Sequence, residues 1–170
     1  MTKNINFAKK NDMSKENFDP HIPVNNEETK EAIEYIINAS EDDGGEVKRR
    51  IISKITERQI NDLEKEGFDM DESWVHSIET SAVVHAKRRH GSKKLRHKEG
   101  HIAINDDDIR KIPEILSNYD RLYKSPNAKK SGSNPVIVYE KIYEDGTIYY
   151  IEEKRDGRKS LAFQTMYKKN

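Results

Sequence analysis

The C-terminal third of the chain constrains the fold most strongly. Segments 135–143, 147–154 and 159–168 alternate in polarity with a period of two and are rich in Val, Ile, Tyr and Phe. Glu144-Asp145-Gly146 and Asp156-Gly157 separate them, and such residues close hairpins because they accept the backbone angles that tight turns demand. Three consecutive strands with short turns form an antiparallel meander. In the last segment a period of two puts Leu161, Phe163, Thr165 and Tyr167 on one face, and Ala162, Gln164 and Met166 on the other.

The earlier part reads mainly as helix. Ala32, Ile33, Ile36 and Ile37 recur at helical spacing within 27–39, and Glu41-Asp42-Asp43-Gly44-Gly45 ends that pattern. Segment 47–55, with Val47, Ile51, Ile52 and Ile55, fits either a helix or a strand. Thr56-Glu57-Arg58-Gln59 is a capping box opening a helix that stops at Gly67, with Ile60 and Leu63 facing inward. A connector over 68–75 has Trp74 as its large anchor. A second strong helix is expected from about Ile78 to His90, closed by Gly91, with Val83, Val84 and Ala86 as its inward residues. Ile102 and Ile104 suggest a short strand. Asp106 is then expected to cap a helix over 107–116 that bends at Pro113. Helices first and sheet last give an α+β fold. Residues 1–46 read as an acidic, partly disordered leader with one short helix, and 47–170 as the folded domain.

Only 33% of the 170 residues are apolar and 36% are charged, enough for one modest core. No run of 18 apolar residues marks a membrane span, and the first residues lack the apolar stretch of a secretory signal. With no cysteine there is no disulfide, thiol nucleophile or cysteine–zinc site. A cytoplasmic location is expected. The net charge of zero hides an asymmetry: residues 1–75 carry 11 Lys/Arg against 18 Asp/Glu, and 76–104 carry 7 against 2 with five of the six histidines. A basic, histidine-rich middle beside an acidic half suits an anionic partner gripped at one place.

That middle contains His85-Ala86-Lys87-Arg88-Arg89-His90-Gly91, followed by His97 and His101. Metal binding is the weakest reading, because Gly100 breaks the helix that would pair His97 with His101 and no acidic ligands stand nearby in a zinc arrangement. Acid–base cleavage of RNA needs a base for the ribose 2′-hydroxyl, an acid for the departing 5′-oxygen and cations for the phosphorane. His85 and His90 with Lys87, Arg88 and Arg89 supply that set. Nucleic-acid binding without chemistry, with tyrosines stacking on bases, uses the same residues. A histidine that simply packs at a helix end is the plain alternative. Thr165 and Tyr167 beside Lys168 can bind a phosphate through two hydroxyls and an ammonium, or serve only as strand formers.

The order of motifs resembles a nuclease family. His85-x-x-x-x-His90-Gly91, the Ile104–Leu116 pattern IxxxDIxxIPxIL, 136–141, EDGTIYYIEE and Leu161-x-x-x-Thr165-Met166-Tyr167-Lys168 follow one another as in the phage-associated branch of the barnase–EndoU–colicin–RelE nucleases. The resemblance covers about residues 47–170. It implies helices packed on an antiparallel sheet of about four strands, and metal-independent endoribonuclease chemistry with no cofactor. It also implies tRNA or rRNA as substrate, an immunity or antitoxin protein as partner, and action in a bacterial host cell or delivery with a virion. By the same resemblance His85 is the general base or acid, with His90 as its partner or as an orienting residue. Lys141 is a phosphate ligand, Thr165 and Tyr167 bind or polarise the phosphate, and the role of His101 is open. The rivals are a module of this fold that binds RNA or protein without cutting, and a small DNA-binding regulator.

Overall fold

The three alternating segments are β6 (Val136–Tyr143), β7 (Gly146–Arg155) and β8 (Ser160–Lys169) in a computed structural model. The structure describes residues 18–41, 45–91, 100–126 and 134–170. Glu144 and Asp145 form the turn that pairs Tyr143 with Gly146, so the register counts outward to place Glu140 opposite Tyr149. The meander is the middle of something larger. β5 (Arg121–Lys124) joins β6 on one side. On the other side β3 (Val75–Glu79) runs parallel to the start of β8, followed by β2 (Arg49–Lys54) and the two-residue β1 (Phe18–Asp19). β4 (His101–Ile102) pairs with the far end of β8.

The result is a mixed eight-stranded sheet, in the order β1-β2-β3-β8-β7-β6-β5 with β4 off the path. This corrects the expectation of about four antiparallel strands. β2 lies in the segment whose pattern suited either structure, and β3 replaces the end of the expected connector and the start of the expected helix. β1, β4 and β5 span two to four residues, too few for a period of two to register.

Five described helices cover one face: α1 (Asn26–Ser40), α2 (Glu57–Lys65), α3 (Thr80–His90), α4 (Asp106–Arg110) and α5 (Ile112–Ser117). The capping box at Thr56 forms as expected, Gln59 N donating to Thr56 Oγ1 at 3.2 Å and Thr56 N to Gln59 Oε1 at 2.8 Å. Gly67 closes α2 at φ +89°, a left-handed angle at which a side chain is strained. Asn105, not Asp106, caps α4. Pro113 sits in the first turn of α5, where its missing N–H leaves no helical bond unmade. The helix of the acidic leader does not stand apart. Ile33, Ile36 and Ile37 of α1 lie in the same core as Leu63, Val83, Ile109, Ile112, Tyr150 and Phe163.

β8 does not keep the expected alternation. Its register with β7 shifts between Ile151 and Glu152, so Thr165 faces Ile151 while Phe163 already faces Glu152. Gln164 is the extra residue, a bulge that reverses which side chains point inward. Leu161 and Phe163 are buried in the core before it; Met166 and Lys168 are buried after it. Thr165 and Tyr167 therefore leave the face of Leu161 and Phe163 and point outward.

Two polar groups go inward in compensation. Lys168, only 4% exposed, holds Asp108 at 3.1 Å and Asp145 at 2.9 Å. Burial alone lowers its ammonium pKa, but the two carboxylates outweigh that and raise it. His76 and Glu152 are fully buried and meet at 2.7 Å, with Gln59 on the other imidazole nitrogen at 2.9 Å and Tyr150 donating to Glu152 at 3.2 Å. Removing one member of such a pair strands a buried charge. Asp108 also holds Lys111 at 3.2 Å and Asp145 is exposed. Lys168→Met is therefore expected to lower stability by about 1.5–3 kcal/mol, the worth of hydrogen bonds to charged groups, and adding Asp108→Asn should restore part of the loss in urea unfolding. A loss below about 1 kcal/mol for the single variant would mean that the ion pair is not formed.

Candidate active site on the outer sheet face

Most buried apolar side chains of the sheet join the cluster under the helices, and the residues that alternate with them, buried Val75, Val138 and Ala162 included, form an outer face. Register fixes a row on that face. Arg121 of β5 lies opposite Glu140 of β6, Glu140 opposite Tyr149 of β7, and Tyr149 opposite Tyr167 of β8. Arg121 Nη1 is 3.3 Å from Glu140 Oε2. The Tyr149 and Tyr167 rings stack at 4.8 Å between centroids, 15° from parallel. Lys169 Nζ lies 5.6 Å from the Tyr167 ring centre and 6.0 Å from that of Tyr149. Thr165 is the next outward residue, and its Oγ1 is buried with no hydrogen-bond partner among the described residues.

Two histidines complete the row. α3 carries His90 to the end of β8, where its ring lies 5.5 Å from that of Tyr167. β4 brings His101 opposite Lys169, and its ring stacks on Tyr167 at 5.9 Å. Ile104 N donates to His90 O at 2.9 Å, tying the two elements together. Gly91 permits the chain to leave α3 here, since a Cβ on it would fall 2.3 Å from Lys87 O.

The residues read from the sequence divide sharply. His90, Thr165 and Tyr167 come to the outer row. His85 does not join them: five positions along a helix turn a side chain through about 140°. It is exposed and lines a separate groove of about 280 Å³ with Ser40, Val47, Thr80, Val84 and Arg88. Arg88 and Arg89 are exposed on α3. Lys87 holds Asp106 at 2.7 Å. Lys141 pairs with Ile148, on the helix-covered side, opposite in facing to Thr165 and Tyr167. Lys168 is buried, bound to the buried Asp108 and to the exposed turn residue Asp145. His97 lies outside the described residues.

Sequence reasoning missed Tyr149, Glu140, Arg121 and Lys169, and left His101 unassigned. Counting outward from the Glu144-Asp145 turn would have paired Glu140 with Tyr149. The Tyr149–Tyr167 pair is beyond such counting, because the bulge lies between the second turn and Tyr167.

Electrostatics keeps the phenols protonated. Burial, then Tyr149 and Glu140, raise the Tyr167 pKa. Burial and a hydrogen bond to Glu140 raise that of Tyr123 on the neighbouring row. Each therefore offers an O–H donor at neutral pH. Among the described residues no group of three or more His, Asp or Glu is placed to hold a metal ion, and no helix is long and apolar enough to cross a membrane.

The domain is thus α+β, with one sheet face packed under helices and the other lined by aromatic, imidazole and cationic side chains. The family model described as phage-Barnase-EndoU-ColicinE5/D-RelE like nuclease3 matches residues 50–170, and the chain belongs to that family. No curated protein and no solved structure matches it.

The raised phenols have a consequence in alkali. Six of the eight tyrosines, Tyr119, Tyr123, Tyr139, Tyr143, Tyr150 and Tyr167, are shifted upward in the fold. A group whose folded pKa exceeds its unfolded value of about 10 contributes stability below that value and loses it as pH rises through the folded one. Phenolate absorbance should therefore lag behind that of free tyrosine and then rise together with unfolding. Titration of all eight phenols near pH 10 in a folded protein would contradict this environment.

Proposed function

We propose that this nuclease-family chain is an endoribonuclease that cuts at the His90–Tyr167–His101 cluster. The observation that carries the reading is the meeting of two imidazoles on one phenol ring, with an ammonium beside them, on an accessible sheet face. In the reaction one imidazole takes the proton of the ribose 2′-hydroxyl as its oxygen bonds to phosphorus. The P–O5′ bond breaks, and the other imidazolium gives its proton to the departing oxygen. A 2′,3′-cyclic phosphate and a free 5′-hydroxyl result. In this reading Lys169 and the Tyr167 hydroxyl oppose the charge that develops on the phosphoryl oxygens. Tyr149 offers a ring on which a base can stack. Thr165, with an unspent hydroxyl next to Tyr167, supplies a further phosphate donor.

The reading shifts the catalytic weight from His85 to His101. Both His90→Ala and His101→Ala should lower cleavage of bacterial RNA in excess EDTA by about 10²–10⁴-fold, the usual size of a lost proton-transfer group. His85→Ala should stay within a few-fold of the parent. A collapse of activity in the His85 variant alone would put the chemistry in the α3 groove. An inactive but folded parent protein would instead favour a binding module of the same fold.

A further inference from the structure

A second polar cluster lies on the same outer face, at the opposite end of β7. Glu79, the last residue of β3, turns one carboxylate oxygen, Oε1, toward three guanidinium groups. Arg155 Nη1 is at 2.7 Å, Arg49 Nη1 at 3.7 Å and Arg158 Nη1 at 3.9 Å. The other oxygen faces the Ser81 hydroxyl at 3.4 Å. Glu153 takes Arg155 Nε at 3.2 Å, and the nearby Asp156 is occupied by Lys154 at 3.1 Å. Three guanidiniums thus share two carboxylates, leaving one positive charge in excess.

The donors are also in excess. Each guanidinium has five N–H groups in a planar fork, and a single carboxylate oxygen cannot serve three of them. Arg49 Nε is buried and makes no hydrogen bond among the described residues, while the same guanidinium lies 3.9 Å over the Phe18 ring. An unspent buried donor in an arginine cluster costs stability unless an acceptor arrives. A tetrahedral oxyanion supplies both the missing charge and the missing acceptors, and planar guanidinium forks match phosphate oxygens.

We propose that Arg49, Arg155 and Arg158 form a phosphate subsite that holds the backbone of a nucleic-acid chain away from the point of cleavage. The proposal rests on the nuclease reading above. Arg155 is six residues along β7 from Tyr149, an even number that keeps both on one face, and its guanidinium turns back to Glu153 and Glu79. Glu79 lies two residues past the Ser77–Ala162 pair, level with Gln164, so the cluster sits roughly 10 Å along the sheet from Tyr167. A stacked strand advancing about 3.4 Å per phosphate covers that span in about three nucleotides. The cluster therefore contacts chains longer than a dinucleotide, and it favours substrates with an extended single strand on one side of the cut.

The test measures binding of the full-length protein to a single-stranded DNA oligonucleotide of roughly ten nucleotides, which has no 2′-hydroxyl and is not cut by this chemistry. Arg158→Ala, in an exposed turn, keeps the fold, and Arg49→Lys keeps the charge while removing the fork. Arg158→Ala should weaken binding several-fold at low salt and reduce the slope of log affinity against log salt by about 0.7. Arg49→Lys should weaken binding with little change in slope. Neither should alter binding or cleavage of a dinucleotide. Unchanged oligonucleotide binding in both folded variants would overturn the proposal and leave the cluster a structural ion-pair network. A thermal shift with inorganic phosphate that Arg158→Ala removes, beside an unchanged oligonucleotide slope, would overturn the nucleic-acid assignment in favour of a free anion. Because the DNA is not cut, these outcomes stand apart from whether the protein cleaves RNA.

Discussion

Between Phe163 and Thr165, β8 carries one residue that β7 does not match, and this mismatch sets which side chains meet on the outer face. Without it, a strict alternation would turn Thr165 and Tyr167 toward the helices and Lys168 outward. With it, Lys168 turns inward to Asp108 and Asp145, and Tyr167 stacks on Tyr149 outside. The inward half of this exchange fixes the outward half, since a slip by one residue would take the buried Lys168 ammonium away from both of its carboxylates. β8 also pairs with β3, β4 and β7, so the same strand gathers the elements that deliver His90 and His101.

The cations show how little a charge run says about a site by itself. Residues 76–104 hold the densest positive charge in the chain, yet Lys87 is paired with Asp106 and His85 faces a groove away from the sheet. The ammonium beside the histidines comes instead from Lys169, at the end of the last strand. The arginine cluster at the other end of the face comes from three separate strands and turns. Both are products of strand register rather than of local sequence density.

Much of the fold was readable because its signals are local. The Thr56–Gln59 capping box, the Gly67 stop and the Glu144-Asp145 hairpin each follow from a few neighbouring residues, and the structure holds all three. The sheet was under-read because β1, β4 and β5 are too short to show a period, and because β2 and β3 are stabilised by pairing that lies far away in sequence. The site was half-read for the same reason. His90, Thr165 and Tyr167 of the outer row were singled out from the sequence, but Glu140 needed the hairpin register, Tyr149 against Tyr167 needed the bulge, and His101 needed the end of β8. The separation of His85 from His90 was available from helical geometry alone.

The central claim is that nucleic acid lies on the outer face over His90, Tyr167 and His101. Histidine side-chain NMR spectra, recorded while single-stranded DNA is added, test it most directly. The account predicts that the His90 and His101 ring signals move in proportion to binding while those of exposed His85 and buried His76 hold still. Movement of His85 with His90 and His101 unchanged would place the nucleic acid in the α3 groove and contradict the site described here.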